Sequence, residues 1–267
     1  GDIFAMGAEA QSATAIATVP QGLESKVEDT LFQMMSGAIN ILNDANCALV
    51  GGHTGEGQEL ALGFAINGLI DDRSDEIMRK EGMRAGDVLI LTKPIGTGTL
   101  FAAHARLEAK GRWIDDALQS MRHSNRLAAE CLRRFGATAC TDLTGFGLLG
   151  HLVEMTRPSE VDATIYLSAL PILEGAEKTV AAGILSSLQP ANVRLRRAIR
   201  EVEAIVNHPR YPLVFDPQTS GGLLASVAAD DANACVRELI SLGYPKTSII
   251  GAIHPKGDHL EPIILHQ

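Results

Sequence analysis

Four glycine-bearing segments, each beside a short apolar run, restrict this chain more than any other feature: Gly51-Gly52-His53-Thr54, Thr92 to Gly98, Thr141 to Gly147, and Asp216 to Gly222. Glycine lets a backbone come close to a neighbour, and Ser and Thr hydroxyls add donors, so such loops together read as cradles for polyphosphate. Taken singly, each reads as a tight turn. None carries the Walker lysine pattern, and none is a dinucleotide GxGxxG in strand-to-helix context.

The runs between these segments alternate in period. Strands are expected at Ala13–Val19, near Cys47–Val50, and at Leu60–Ile70, with a helix over Leu23–Ala45. A boundary near Met83 divides the chain into a first lobe, 1–83, and a second, 84–267. The second lobe should hold strands at Asp87–Thr92, Ala137–Thr141, Ala163–Leu167, Leu223–Val227 and Ser248–Ile253. Helices are expected at Ile114–Phe135, Leu148–Met155, Ile172–Ala182, Ala191–Val206 and Asp231–Leu242. The order follows no strict repeat, which favours an α+β arrangement of two lobes over a doubly wound sheet.

Composition narrows the partners. The 23 basic and 32 acidic residues give a formal charge of -9, which repels a nucleic-acid backbone. The densest basic stretch, Arg194, Arg196, Arg197 and Arg200, reads as a solvated helix face. Cys47, Cys131, Cys140 and Cys235 are scattered without a CxxC pair, so they suggest small buried hydrophobes and a reducing cytoplasm. No run reaches the roughly 18 apolar residues of a membrane span, and no signal pattern opens the chain.

Asp142 follows an apolar strand and precedes Leu143-Thr144-Gly145-Phe146-Gly147. A carboxylate at such a strand end suits Mg²⁺, which takes one or two protein oxygens together with waters and phosphates. A helix N-cap or Asx-turn explains the same residue, and the local pattern leaves both open. Asp2 has a weaker local case. His53 could touch a phosphate or orient its loop. Lys93 reads as a phosphate partner or a surface charge, and Glu56 and Glu59 as cleft acids or a polar hairpin face.

Five segments, in order, resemble selenophosphate synthetase (selenide, water dikinase): Asp2-Ile-Phe-Ala-Met-Gly7, Gly51-Gly-His-Thr54, Leu91-Thr-Lys-Pro-Ile-Gly-Thr-Gly98, Thr141-Asp-Leu-Thr-Gly-Phe-Gly-Leu-Leu-Gly-His151, and Asp216-Pro-Gln-Thr-Ser-Gly-Gly-Leu-Leu224. The resemblance implies the aminoimidazole ribonucleotide synthetase fold: a barrel-forming, dimerising N-terminal lobe, incomplete here, and a C-terminal α/β sandwich lobe. It implies synthesis of selenophosphate from ATP, selenide and water, releasing AMP and orthophosphate. Asp2 and Asp142 would be Mg²⁺ ligands, while Gly51, Gly52, His53 and Thr54 would contact ATP. It also implies a cytoplasmic homodimer.

The chain departs from that family at its start. The family's catalytic Cys or selenocysteine, its nearby Lys and further metal-binding aspartates belong upstream of the Asp2 motif, and Gly1 stands near the place of a usual Asn. No catalytic residue is therefore assigned within this chain. A truncated or proteolysed form, or a lobe cut from a fusion, is preferred over a degenerate homologue, and little activity is expected of the piece alone. The rival readings are another synthetase or kinase of the superfamily and a non-catalytic nucleotide-binding module.

Overall fold

A computed structural model describes residues 1–70 and 77–267. The chain divides into two compact units, Gly7–Ile77 and a larger one made of Gly1–Met6 with Met78–Gln267. The larger unit begins with a single turn, α1 (Asp2–Ala5).

The smaller unit contains β1 (Glu9–Pro20), α2 (Glu24–Asp44), β2 (Ala48–Gly57) and β3 (Ala61–Leu69). β1 is the middle strand, parallel to β2 and antiparallel to β3. Its small and β-branched residues alternate as a half-buried strand requires: Ala13, Ala15, Ala17 and Val19 are buried, while Thr14 and Ile16 are exposed. Leu42 of α2 meets Ala13 and Cys47 on the buried side. This is a thin core.

Gly51-Gly52-His53-Thr54 is not a loop. These residues lie inside β2, opposite Thr14, Ala15, Ile16 and Ala17 of β1. The register shifts between Ala13 and Thr14, so Val50 is the extra residue of a bulge just before the glycines. A Cβ on Gly52 would lie 2.4 Å from the Ala15 carbonyl oxygen, so glycine here permits close strand pairing.

The larger unit continues through β4 (Asp87–Leu91), α3 (Thr97–Ala105), α4 (Gly111–Arg122), α5 (Arg126–Arg134), β5 (Ala139–Asp142), α6 (Gly147–Ser159) and β6 (Val161–Tyr166). Then come α7 (Ala176–Ala181), α8 (Gln189–Asn192), β7 (Leu223–Ala228), α9 (Ala229–Ser241), β8 (Ser248–Pro255) and β9 (Ile263–His266). The strands form one sheet in the order β5-β7-β4-β8-β6-β9, antiparallel except for the β6–β9 pair. β4 is buried on both faces. Leu89 and Leu91 join the core built with α3, α4 and α6, and Ile90 joins the one built with α5 and α9. Both sheets and their helices thus give a mixed α/β protein.

Several expected elements differ. The helix expected over Ile114–Phe135 is two helices, broken at His123-Ser124-Asn125. Partners distant in sequence hold that break open. Lys93 Nζ donates to the His123 carbonyl at 2.5 Å, Tyr244 Oη donates to that of Ser124, and Asn125 Nδ2 donates to that of Gly221. The helix expected over Ile172–Ala182 shrinks to α7, entered through Gly175 at φ +92°, where a Cβ would strike Trp113. Of the helix expected over Ala191–Val206 only Ala191 and Asn192, the end of α8, are α-helical; short 3₁₀ turns follow, because the Arg200 amide donates to the Ile263 carbonyl and Arg200 Nε to that of Glu261, pulling the chain out of helix. Arg200 also pairs with buried Asp162, while Arg194, Arg196 and Arg197 remain exposed. α3 and β9 were not expected from the sequence. All four cysteines are free and buried.

Candidate functional site

Three of the four glycine segments meet one another, all within the larger unit. Gly96 and Thr97 amides donate to Gln218 Oε1, and the Gly98 amide donates to Asp216 Oδ2 at 3.0 Å. The Leu223 amide donates to Thr92 Oγ1, the Leu143 amide to the Gly222 carbonyl, and the Gln218 amide to the Thr144 carbonyl. Their glycines are needed for these approaches. A Cβ on Gly98 would lie 2.6 Å from the Pro217 carbonyl, one on Gly221 2.5 Å from that of Leu143, and one on Gly222 2.5 Å from the Lys93 nitrogen. The reading of these segments as open phosphate cradles is therefore corrected: many of their amides are engaged in holding the loops to each other. Lys93 is likewise no surface charge, being buried, with its ammonium on the carbonyls of His123 and Ser220. Burial lowers its pKa to about 8, which leaves it charged at neutral pH.

The clasped loops fix the end of β5, and Asp142 stands there. It lines a cleft of about 660 Å³ together with Asp2 of α1, Lys80, Thr144, His151 and Glu154. Burial first, and then the Asp2 carboxylate, push the Asp142 pKa up, while its own backbone amide and His151 pull it down. The N-cap alternative is removed by the geometry: α6 begins at Gly147 with Phe146 at its cap and no side-chain cap bond. The cleft thus sets two carboxylates side by side, one held above its ordinary range by burial and by the other.

His151 is buried on α6. Its Nε2 lies 3.0 Å from the Thr144 amide nitrogen and 3.1 Å from Thr144 Oγ1, and Nδ1 is 3.5 Å from Glu154 Oε2. Glu154 also takes Lys80 Nζ at 2.7 Å. Burial is the main influence on the ring and lowers its pKa, against the pull of Glu154. Sequence reading quoted His151 only as the end of a motif. Its i, i+3 spacing with Glu154, on the helix directly after the Asp142 loop, was the available signal.

The structure thus brings Asp2 and Asp142 together. Gly51, Gly52, His53 and Thr54 belong to the other unit, on an edge strand with one side unpaired and all four residues exposed. Glu56 of the same strand accepts from Gln21 Nε2. Among the described residues no group of three or more His, Cys, Asp or Glu could hold a metal. The cleft's own donors fit a hard cation that takes few protein ligands: two carboxylates, with the adjoining Cys140 thiol pushed far up by burial and hence protonated.

Comparison with known proteins assigns both parts of the chain to one class. Family models described as "AIR synthase related protein, N-terminal domain" and "C-terminal domain" match residues 1–70 and 84–260. Solved structures agree on the fold. A thiamine-monophosphate kinase from Stenotrophomonas maltophilia K279a superposes with TM-score 0.72 at 21% identity, over 99% of this chain and 74% of its own. The hydrogenase maturation protein HypE in complex with ATP gives 0.73 at 16% identity, over 98% and 71%. Fold and cleft define an AIR synthase related protein.

Sequence relatives narrow the class. "Selenide, water dikinase" of Clostridioides difficile (strain 630) is 33% identical over 96% of this chain and 72% of its own length. The relative from Trichlorobacter lovleyi is 38% identical over 85% and 64%, and that from Geobacter metallireducens 37% over 96% and 73%. The chain belongs to the selenide, water dikinase family and spans roughly two thirds to three quarters of these relatives.

Proposed function

We propose that the chain is the ATP-binding and metal-binding body of a selenide, water dikinase, which forms selenophosphate from selenide, ATP and water and releases AMP and orthophosphate. The observation that carries this reading is the cleft shared by Asp2 and Asp142 at the end of β5, in a chain whose relatives carry that name. Asp2 and Asp142 would hold Mg²⁺, and Gly51, Gly52, His53 and Thr54 would meet the nucleotide, chiefly through backbone groups of β2. Bound Mg²⁺ supplies charge neutralisation at phosphate oxygens, the main demand of phosphoryl transfer.

The chain's own residues contribute placement. The loop clasp fixes the Asp142 backbone before any ligand arrives, so little reorganisation remains for binding. The four cysteines are buried, Cys140 beside the cleft with its thiol held protonated, and none is assigned as the nucleophile. The exposed apolar side chains of the smaller unit, Ile16, Val50, Phe64 and Ile66 among them, support a homodimer formed through it.

The test is product analysis. With ATP, Mg²⁺ and selenide, little turnover is expected of the chain alone, and AMP and orthophosphate should form once the segment that precedes the Asp2 motif in the family is joined to it. ADP would instead support another kinase of the fold, such as the thiamine-monophosphate kinase it resembles. Binding of an ATP analogue without turnover would support a nucleotide-binding module.

A further inference from the structure

The Thr144 peptide is held from both sides. Its carbonyl accepts from the Gln218 amide at 2.9 Å, and its amide donates to His151 Nε2 at 3.0 Å. The amide has no other role open to it, because a backbone N–H can only donate. The Nε2 it meets must therefore present its lone pair, and the neutral ring carries its proton on Nδ1. Nδ1 has no hydrogen-bond partner of good geometry, and its nearest carboxylate is Glu154 Oε2 at 3.5 Å. His151 is only 4% exposed, so the Nε2 it turns to Thr144 is placed by the fold.

From this geometry we infer that His151 is a positioning residue: it locks the Thr144 turn through Nε2 and so presets the Asp142 carboxylate two residues earlier. The inference rests on the metal-binding reading of Asp142 and adds a residue to it. The Asp142 carboxylate is bonded to its own backbone amide, so its direction follows from the backbone on either side. On one side it is bonded in β5 against Leu223. On the other the chain turns through Leu143 and Thr144, where Gly222, Gln218 and His151 fix successive backbone groups. Of these three, His151 alone acts through a side chain, and it can therefore be replaced without altering any backbone.

The test uses the full chain and Mn²⁺ alone as the probe, with free Mn²⁺ followed by electron paramagnetic resonance. His151→Leu keeps bulk and removes the acceptor. It should weaken Mn²⁺ binding about 10- to 100-fold, the usual effect of losing a residue that orients a metal ligand. His151→Gln places Oε1 near the position of Nε2 and should restore most of the affinity, which a role in packing alone does not explain. The Thr144 amide should exchange slowly in the wild type and the Gln variant and faster in the Leu variant. Nitrogen-15 spectra of the wild type should show Nδ1 protonated and Nε2 bare near neutral pH, a readout that needs no variant to fold. Wild-type Mn²⁺ affinity in a folded Leu variant, or a proton found on Nε2, overturns the inference. If the wild type itself fails to bind Mn²⁺, the metal reading of Asp2 and Asp142 falls, and the Thr144 exchange rates decide the lock separately: unchanged rates in the Leu variant overturn it.

Discussion

Asp142 and Asp216 are both carboxylates at the clasped loops, yet their surroundings give them different work. Asp142 faces a cleft and a second carboxylate, so removing its charge relieves repulsion while removing a ligand. Asp142→Asn should leave the ligand-free melting temperature close to that of the wild type and abolish Mg²⁺-dependent binding of an ATP analogue, read by calorimetry. Asp216 is fully buried, with Oδ2 accepting from the Gly98 amide and Gln218 Nε2 and Oδ1 without a partner. Burial raises its pKa from 3.8 to about 7, against the bonds from Gln218, Gly98 and Thr99. Between those values the folded state holds a proton that the unfolded state has released. The contribution is whole below about pH 4 and is lost as pH rises through 7, by at most about 1.4 kcal/mol per pH unit. Asp216→Asn keeps the acceptor and removes the titration. Urea denaturation across pH 4 to 7 should therefore show the difference between variant and wild type changing in that direction; a constant difference would mean that Asp216 is ionised in the fold.

At the scale of elements, what could be read from the sequence was what is local. β1, α2, β4, β5, α6, β7, α9 and β8 follow apolar periodicity that needs no partner to be seen. The break between α4 and α5 was hidden because Lys93, Tyr244 and Gly221 impose it from elsewhere in the chain. α3 was missed because its start is capped by Asp216 and Gln218, some 120 residues later. β2 was cut short because Gly51 and Gly52 read as a turn, whereas a bulge and a close approach to Ala15 explain them. Of the site, Asp142 was visible as a carboxylate at a strand end, its metal role and Asp2 came from resemblance to a family, and His151 needed coordinates. Packing by α6 gives a direct measure of the periodic signal. Leu152 is fully buried between α6 and the sheet, while Leu107 is 92% exposed. Leu152→Ala should cost about 2–5 kcal/mol in urea denaturation, and Leu107→Ala no more than about 0.5 kcal/mol.

For the whole molecule, the two units differ in how well each can stand by its own core. The larger unit covers both faces of its sheet with helices. The smaller one packs a single helix on one face, and its buried cluster is Ala13, Leu42 and Cys47. On the opposite face of β1, Ile16 is 64% exposed between His53 and Gly63. A three-stranded sheet with so little buried area is marginal unless something covers it. Covering by a second copy, as proposed, predicts that association and the integrity of this unit are linked. Ile16→Glu should shift the protein to monomer in sedimentation equilibrium. Cys47 reports on the same event, because it is the smaller unit's cysteine and is buried in that thin core, whereas Cys131, Cys140 and Cys235 lie in the larger one. The variant should expose one thiol to a disulfide reagent under native conditions, identified as Cys47 by peptide mapping, while the other three stay protected. Dimers that persist in the variant, or equal labelling of all four cysteines, would refute the linkage.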